Sequence, residues 1–164
     1  MVGLVISLPL QYGCAQTSQA TSEADDFLRQ GNEGELLRAA ADGNLFKIDK
    51  LLATGVDINT RTPDGATPLM GAVYYGYAQT SRLLMERGAD VNARNDQGVT
   101  ALHYAAQSGR ADIARDLLEK GADPAVTSAA GNTPLALAQA AGHREVVELL
   151  KSGAPGDGTG LRDN

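Results

Sequence analysis

The chain of 164 residues contains no tryptophan, two phenylalanines and five tyrosines. A β-sandwich or barrel core leans on aromatic and β-branched side chains, so this scarcity, with alanine, leucine and glycine abundant, favours closely packed short helices. A single cysteine, Cys14, excludes an internal disulfide and any multi-cysteine zinc site. Only two histidines occur, His103 and His143, and with Cys14 far from both they make no metal constellation. Lysine and arginine are scattered as single residues such as Arg82, Arg87 and Arg94, and the formal net charge is −6. Without a cluster of cations to neutralise phosphates, nucleic acid is excluded as a partner. No Gly-x-Ser-x-Gly elbow or phosphate-binding glycine loop is present, and no nucleophile stands beside a recognisable base. No enzyme activity and no cofactor are therefore expected.

Long apolar runs are also missing. The longest begins the chain, Val2 to Leu10, interrupted by Ser7 and Pro9. A membrane-spanning helix needs about twenty apolar residues, so this run reads instead as the hydrophobic part of an export leader. Two exits follow it. Gly13-Cys14-Ala15 is similar to a lipoprotein box and would place lipid on Cys14, although Gln11 stands three residues before the cysteine and no Lys or Arg precedes the run. Ser18-Gln19-Ala20 is similar to a signal-peptidase site. An apolar tag or a buried strand is the alternative to both. Residues 1–24 are thus expected to be leader and polar tether, and the glycine-rich residues 155–164, unable to bury a core, a disordered tail.

Between these ends the sequence repeats itself every thirty-three residues. Gly65-Ala66-Thr67-Pro68-Leu69 returns as Gly98-Val99-Thr100-Ala101-Leu102 and as Gly131-Asn132-Thr133-Pro134-Leu135. Gly43, Gly76, Gly109 and Gly142 keep the same period, as do Gly55, Gly88 and Gly121. Each marker has a physical reason. Thr67, Thr100 and Thr133 are placed to cap helices through their hydroxyls, and Pro68 and Pro134 then occupy the first helical position, where a missing N–H costs nothing. The spacing predicts a first helix over Pro68–Tyr75, closed by Gly76, and a second over Ala78–Arg87, closed by Gly88. Asp90 and Asn92 are expected to bond locally in the exit turn. Leu69, Ala72, Val73, Leu83 and Leu84, and one unit later Leu102, Ala105, Ala106, Ile113, Leu117 and Leu118, form the predicted core. No single unit can bury its apolar face alone, so the units must stack.

These units resemble the ankyrin repeat, with its T-P-L-H-x-A-A opening and L-L-x-x-G-A-D-V-N close. Gly65 to Asn92 follows that pattern except at Met70 and Gly71; Gly98 to Asp123 keeps His103 but has Ala101 for proline; Gly131 to Ala154 has Ala136 where the histidine would stand. An earlier unit, about Gly31 to Asn59, lacks the T-P-L opening and is similar to an N-terminal capping repeat with Glu33, Glu35 and Arg38 facing water. The resemblance implies an all-α solenoid over residues 25–154, of about four helix-turn-helix units (31–61, 62–94, 95–127 and 128–154) joined by hairpin-like turns. It implies that His103 bonds to backbone between neighbouring units, and His143, after Gly142, is taken as an equivalent structural histidine.

The resemblance also implies a protein-binding module whose partner surface is the concave side, built from turn tips and the ends of first helices. Carried over residue by residue, that surface comprises Asp64 and Ala66, then Tyr74 and Tyr75 with Tyr77 just beyond the glycine, then Asp96, Gln97, Val99, Gln107 and Ser108, and finally Asn132. Tyrosine is a frequent anchor at protein interfaces. A monomer of the bacterial cell envelope is expected, similar to small periplasmic ankyrin-repeat proteins, with membrane contact only through a lipid on Cys14. The alternatives are an inhibitor or protective accessory of one envelope enzyme, and an intracellular scaffold.

Overall fold

The computed structural model describes residues 31–152, so the expected leader, its cysteine and the glycine-rich tail lie outside the described residues. Eight helices occur among them and no strand. They form four pairs: α1 (Asn32–Ala41) with α2 (Leu45–Ala53), α3 (Pro68–Tyr75) with α4 (Ala78–Glu86), α5 (Ala101–Gln107) with α6 (Ala111–Glu119), and α7 (Pro134–Ala141) with α8 (Arg144–Ser152). The first helices pack side by side in the order α1, α3, α5, α7, and the second helices form a parallel layer behind them.

Local chemistry sets the helix starts. The Thr67 hydroxyl accepts from the Met70 N–H at 3.3 Å and the Thr133 hydroxyl from the Ala136 N–H at 3.1 Å. Each satisfies one orphan donor of a first turn, worth about 1 kcal/mol. At the end of α3, Gly76 takes a left-handed conformation with φ 80°, as its place in the repeat predicts. The second helix of that pair ends at Glu86, one residue earlier than the sequence suggests.

The core runs unbroken through the stack. Leu36, Leu69, Leu84, Leu102, Ile113 and Leu117 are fully or almost fully buried in one cluster, with alanines at 39, 72, 105 and 138 between the first helices. Small side chains at those positions let successive helices approach closely. Leu83, expected in the core, is only half-buried at its edge, and Met85 is buried in the same helix. Of the three residues expected to face water in the first unit, Glu33 and Arg38 do, whereas Glu35 is half-buried and pairs with Lys47 at 3.5 Å.

The connections are closed by their own hydrogen bonds: Thr62 N–H to Ala66 O at 2.9 Å, Asn95 N–H to Val99 O at 3.1 Å and Ser128 N–H to Asn132 O at 2.9 Å. They are also tied to one another. Asp96 N–H donates to Asp64 O at 3.0 Å and Ala129 N–H to Gln97 O at 2.8 Å. Two arginines thirty-three residues apart repeat this bond with side chains, Arg61 donating to Arg94 O at 2.8 Å and Arg94 to Thr127 O at 2.7 Å. Asp90 caps its own turn as expected, accepting from Asn92 N–H at 2.9 Å, but the asparagines reach further. Asn59 accepts from Asp90 N–H and Asn92 from Asp123 N–H, both at 2.8 Å, so each joins its unit to the next.

Candidate functional site

Three tyrosines gather on the face of the first helices. Tyr74 and Tyr75 close α3 and are 58% and 57% exposed. Tyr104, in the middle of α5, is half-buried, and its ring meets Tyr74 edge-to-face with centroids 5.5 Å apart. Tyr74 meets Tyr75 in the same manner at 5.1 Å. Edge-to-face contact sets the positive edge of one ring against the negative face of the next, which fixes the rings without burying them.

Tyr104 also walls a groove of about 450 Å³ between the third and fourth units. Gln97, Val99, Gln107 and Asn132, all predicted from the sequence, line it together with Ser128 and Leu137. Residues from two turn tips and two helices, up to forty positions apart, thus converge on one concavity. The Asp64 carboxylate, at the preceding tip, acts on Tyr104: burial first, then the negative charge of Asp64, pushes the phenol above its ordinary pKa. Asp64 itself accepts from the Thr62 hydroxyl.

His103 forms the back of the groove and is completely buried. Its Nδ1 accepts from Thr100 N–H at 3.2 Å, which leaves the proton on Nε2 to donate to Asn132 O at 3.1 Å. The imidazole therefore ties the start of α5 to the tip of the next unit, the inter-unit bond that the sequence implied. Burial pushes its pKa below the ordinary value, and the positive charge of Arg94 adds to this. His143 is not equivalent to it. It lies between α7 and α8, where Nε2 reaches back to Gln107 O at 3.0 Å.

The remaining predicted residues divide. Asp96 and Ser108 are exposed beside the groove without lining it. Ala66 is half-buried against the core, its N–H held by the Thr62 hydroxyl at 2.9 Å. Tyr77 stands apart from the other tyrosines. It belongs to a column in which a residue between the two helices of one unit covers a glycine of the unit before: Tyr77 over Gly43, Arg110 over Gly76, His143 over Gly109. Tyr104, Ser128 and Leu137 were missed from sequence. Tyr104 falls on the register occupied by Gly71 and Leu137, three positions of three different side-chain types, so the repeat carries no common signal there.

Among the described residues no group of three or more His, Cys, Asp or Glu side chains is placed to hold a metal ion, and no helix is long and apolar enough to cross a membrane.

Stacked helix pairs with capped first helices, hydrogen-bonded tips and a groove on the first-helix face define a helical repeat protein. Residues 36–128 match the family model of ankyrin repeats in three copies, and residues 130–159 match that of the single ankyrin repeat. The chain belongs to the ankyrin-repeat family, and its repeats form a protein–protein interaction module. A search of curated proteins found no match.

Proposed function

We propose that the first-helix face, from Tyr75 through Tyr74 and Tyr104 into the groove between units three and four, binds a segment of another protein without catalysing a reaction. One observation carries this reading: two exposed tyrosines are held edge-to-face against a third that walls an open groove, on a chain otherwise poor in aromatics. Rigid, amphipathic rings at the rim of a concavity supply contact area at little entropic cost. Asp96, Gln97, Gln107 and Ser108 surround them with hydrogen-bonding groups, and the partner binds to a monomer.

Changing both Tyr74 and Tyr75 to alanine tests the site. Affinity for the partner should fall by about 2 kcal/mol or more, while the midpoint of thermal unfolding stays nearly constant because both rings are more than half exposed. A large fall in the midpoint with affinity kept would assign the tyrosines to the stack.

The export reading rests on the apolar run Val2–Leu10 and the small-residue exits after it. The module acts in the cell envelope, anchored through Cys14 or released after Ala20. In cell fractionation, a lipid-anchored protein sediments with membranes and Cys14→Ser releases it or leaves a precursor; a mature chain beginning at Thr21 establishes plain cleavage. An intact leader on soluble cytoplasmic protein would overturn export.

A further inference from the structure

The repeat register shows which side chains of a unit reach toward the unit before it. Tyr77, Arg110 and His143 each cover a glycine of the preceding unit. Asp116 pairs with Arg82 of the preceding unit at 2.6 Å, and Glu145 with Arg115 at 3.5 Å. Stepping back by the thirty-three-residue period, these three registers fall in the first unit on Asn44, Lys50 and Phe46. All three line one pocket of about 440 Å³ on α1 and α2, and among the described residues no unit stands before it. A terminal repeat of a solenoid ordinarily presents a polar outer face. Here Phe46 is 81% exposed, more than any of the three exposed tyrosines. The first unit thus keeps the docking registers of an internal unit and sets an aromatic ring among them.

The chain itself points to what covers this face. Asn32, the first residue of α1, lines the pocket, so the residues before it enter the fold at the pocket's rim. Phe27 and Leu28 are the only adjacent pair of large apolar residues between Leu10 and Leu36. At about 3.5 Å per extended residue, Leu28 stands within about 14 Å of Asn32. Charge is complementary as well. Lys47 and Lys50 outweigh Glu35 in the pocket, even with Lys47 paired to Glu35 at 3.5 Å. Glu23, Asp25 and Asp26 outweigh Arg29 in the segment that precedes Gly31. We infer that residues 23–30 fold back over the leading face of the stack, setting Phe27 and Leu28 on Phe46 and their acidic neighbours toward Lys50, in the place that a preceding unit would fill. Covalent tethering makes this an intramolecular contact, so a modest intrinsic affinity suffices. Lipid on Cys14 or cleavage after Ala20 would each leave the segment on the protein.

Thermal unfolding of the full chain tests this. Phe46→Ala should lower the midpoint by about 4 °C, and Phe27→Ala/Leu28→Ala should lower it by a similar amount. All three changes together should cost no more than either set alone, since each removes the same contact. An uncovered Phe46 predicts the opposite sign, because alanine is the better helix former at an exposed position. An unchanged or higher midpoint in Phe46→Ala would therefore overturn the inference. So would a loss at Phe46 that adds in full to the loss at Phe27 and Leu28, or a loss that varies with protein concentration, which would place a second copy of the chain on this face instead.

Discussion

His103 shows how much one side chain can hold. Its ring uses both nitrogens, one on the cap of its own helix and the other on the tip of the next unit, and no water reaches it. Because burial lowers its pKa from 6.5, the folded protein keeps it neutral where the unfolded chain takes up a proton. The unfolded state then binds more protons below pH 6.5, so stability is retained above that value and falls as the pH drops through 6.5 toward the folded pKa. The second unit supplies a control, since Met70 fills the equivalent position and is buried without these bonds. His103→Met should cost about 1–2 kcal/mol at pH 7.5 through the lost hydrogen bonds, and its unfolding midpoint should depend less on pH between 7.5 and 5. Identical pH slopes in the two proteins would show that His103 is not the group responsible.

At the scale of the helix pair, the sequence is legible where the cause is local. Thr67, Pro68 and Gly76 mark α3 to the residue, because a hydroxyl cap, a proline at the first helical position and a left-handed glycine all act within their own turn. What joins one pair to another is less legible. Arg61 and Arg94, Asn59 and Asn92, and the column of residues over Gly43, Gly76 and Gly109 keep the repeat period, yet their partners lie in a neighbouring unit. Tyr77 was grouped with Tyr74 and Tyr75 on proximity in sequence; the end of α3 turns the chain so that its ring faces Gly43 instead. The column itself is testable at Gly109, where φ is 68° and an added methyl would lie 2.6 Å from the His143 ring. Gly109→Ala should therefore destabilise by about 1 kcal/mol for the left-handed backbone, and by more for the crowding. Removing the ring as well, in Gly109→Ala/His143→Ala, should relieve the crowding, so the double variant loses less than the two single losses combined. Additive losses in denaturant unfolding would mean that the ring moves aside freely.

Across the whole molecule, the stack carries its stability unevenly, since a unit buries its apolar side chains only against neighbours. Units two and three have neighbours on both sides, and nearly every apolar residue of α3, α5 and α6 is buried. In the fourth unit only Pro134, Ala138, Val146 and Leu150 are buried, while Leu135, Leu137, Val147 and Leu149 remain partly open. Three bonds tie this unit to the third: His103 Nε2 to Asn132 O, Ala129 N–H to Gln97 O, and His143 Nε2 to Gln107 O. Apolar burial contributes about 25 cal/mol per Å², so α7 and α8 should open at a lower free energy than the middle of the stack, while the tip that His103 holds stays closed longer. Native-state hydrogen exchange measures this directly, residue by residue. The amides of α3, α5 and α6 should exchange only with the highest opening energies, those of α8 with the lowest, and His103→Met should loosen the Asn132 turn and α7 before it touches α3. The partner groove is walled by the third unit on one side and by the fourth on the other, so a peptide bound there should raise protection in α7 more than in α3. Uniform protection along the chain, with or without a bound peptide, would mean that the four units open as one block and that the groove is as rigid as the core behind it.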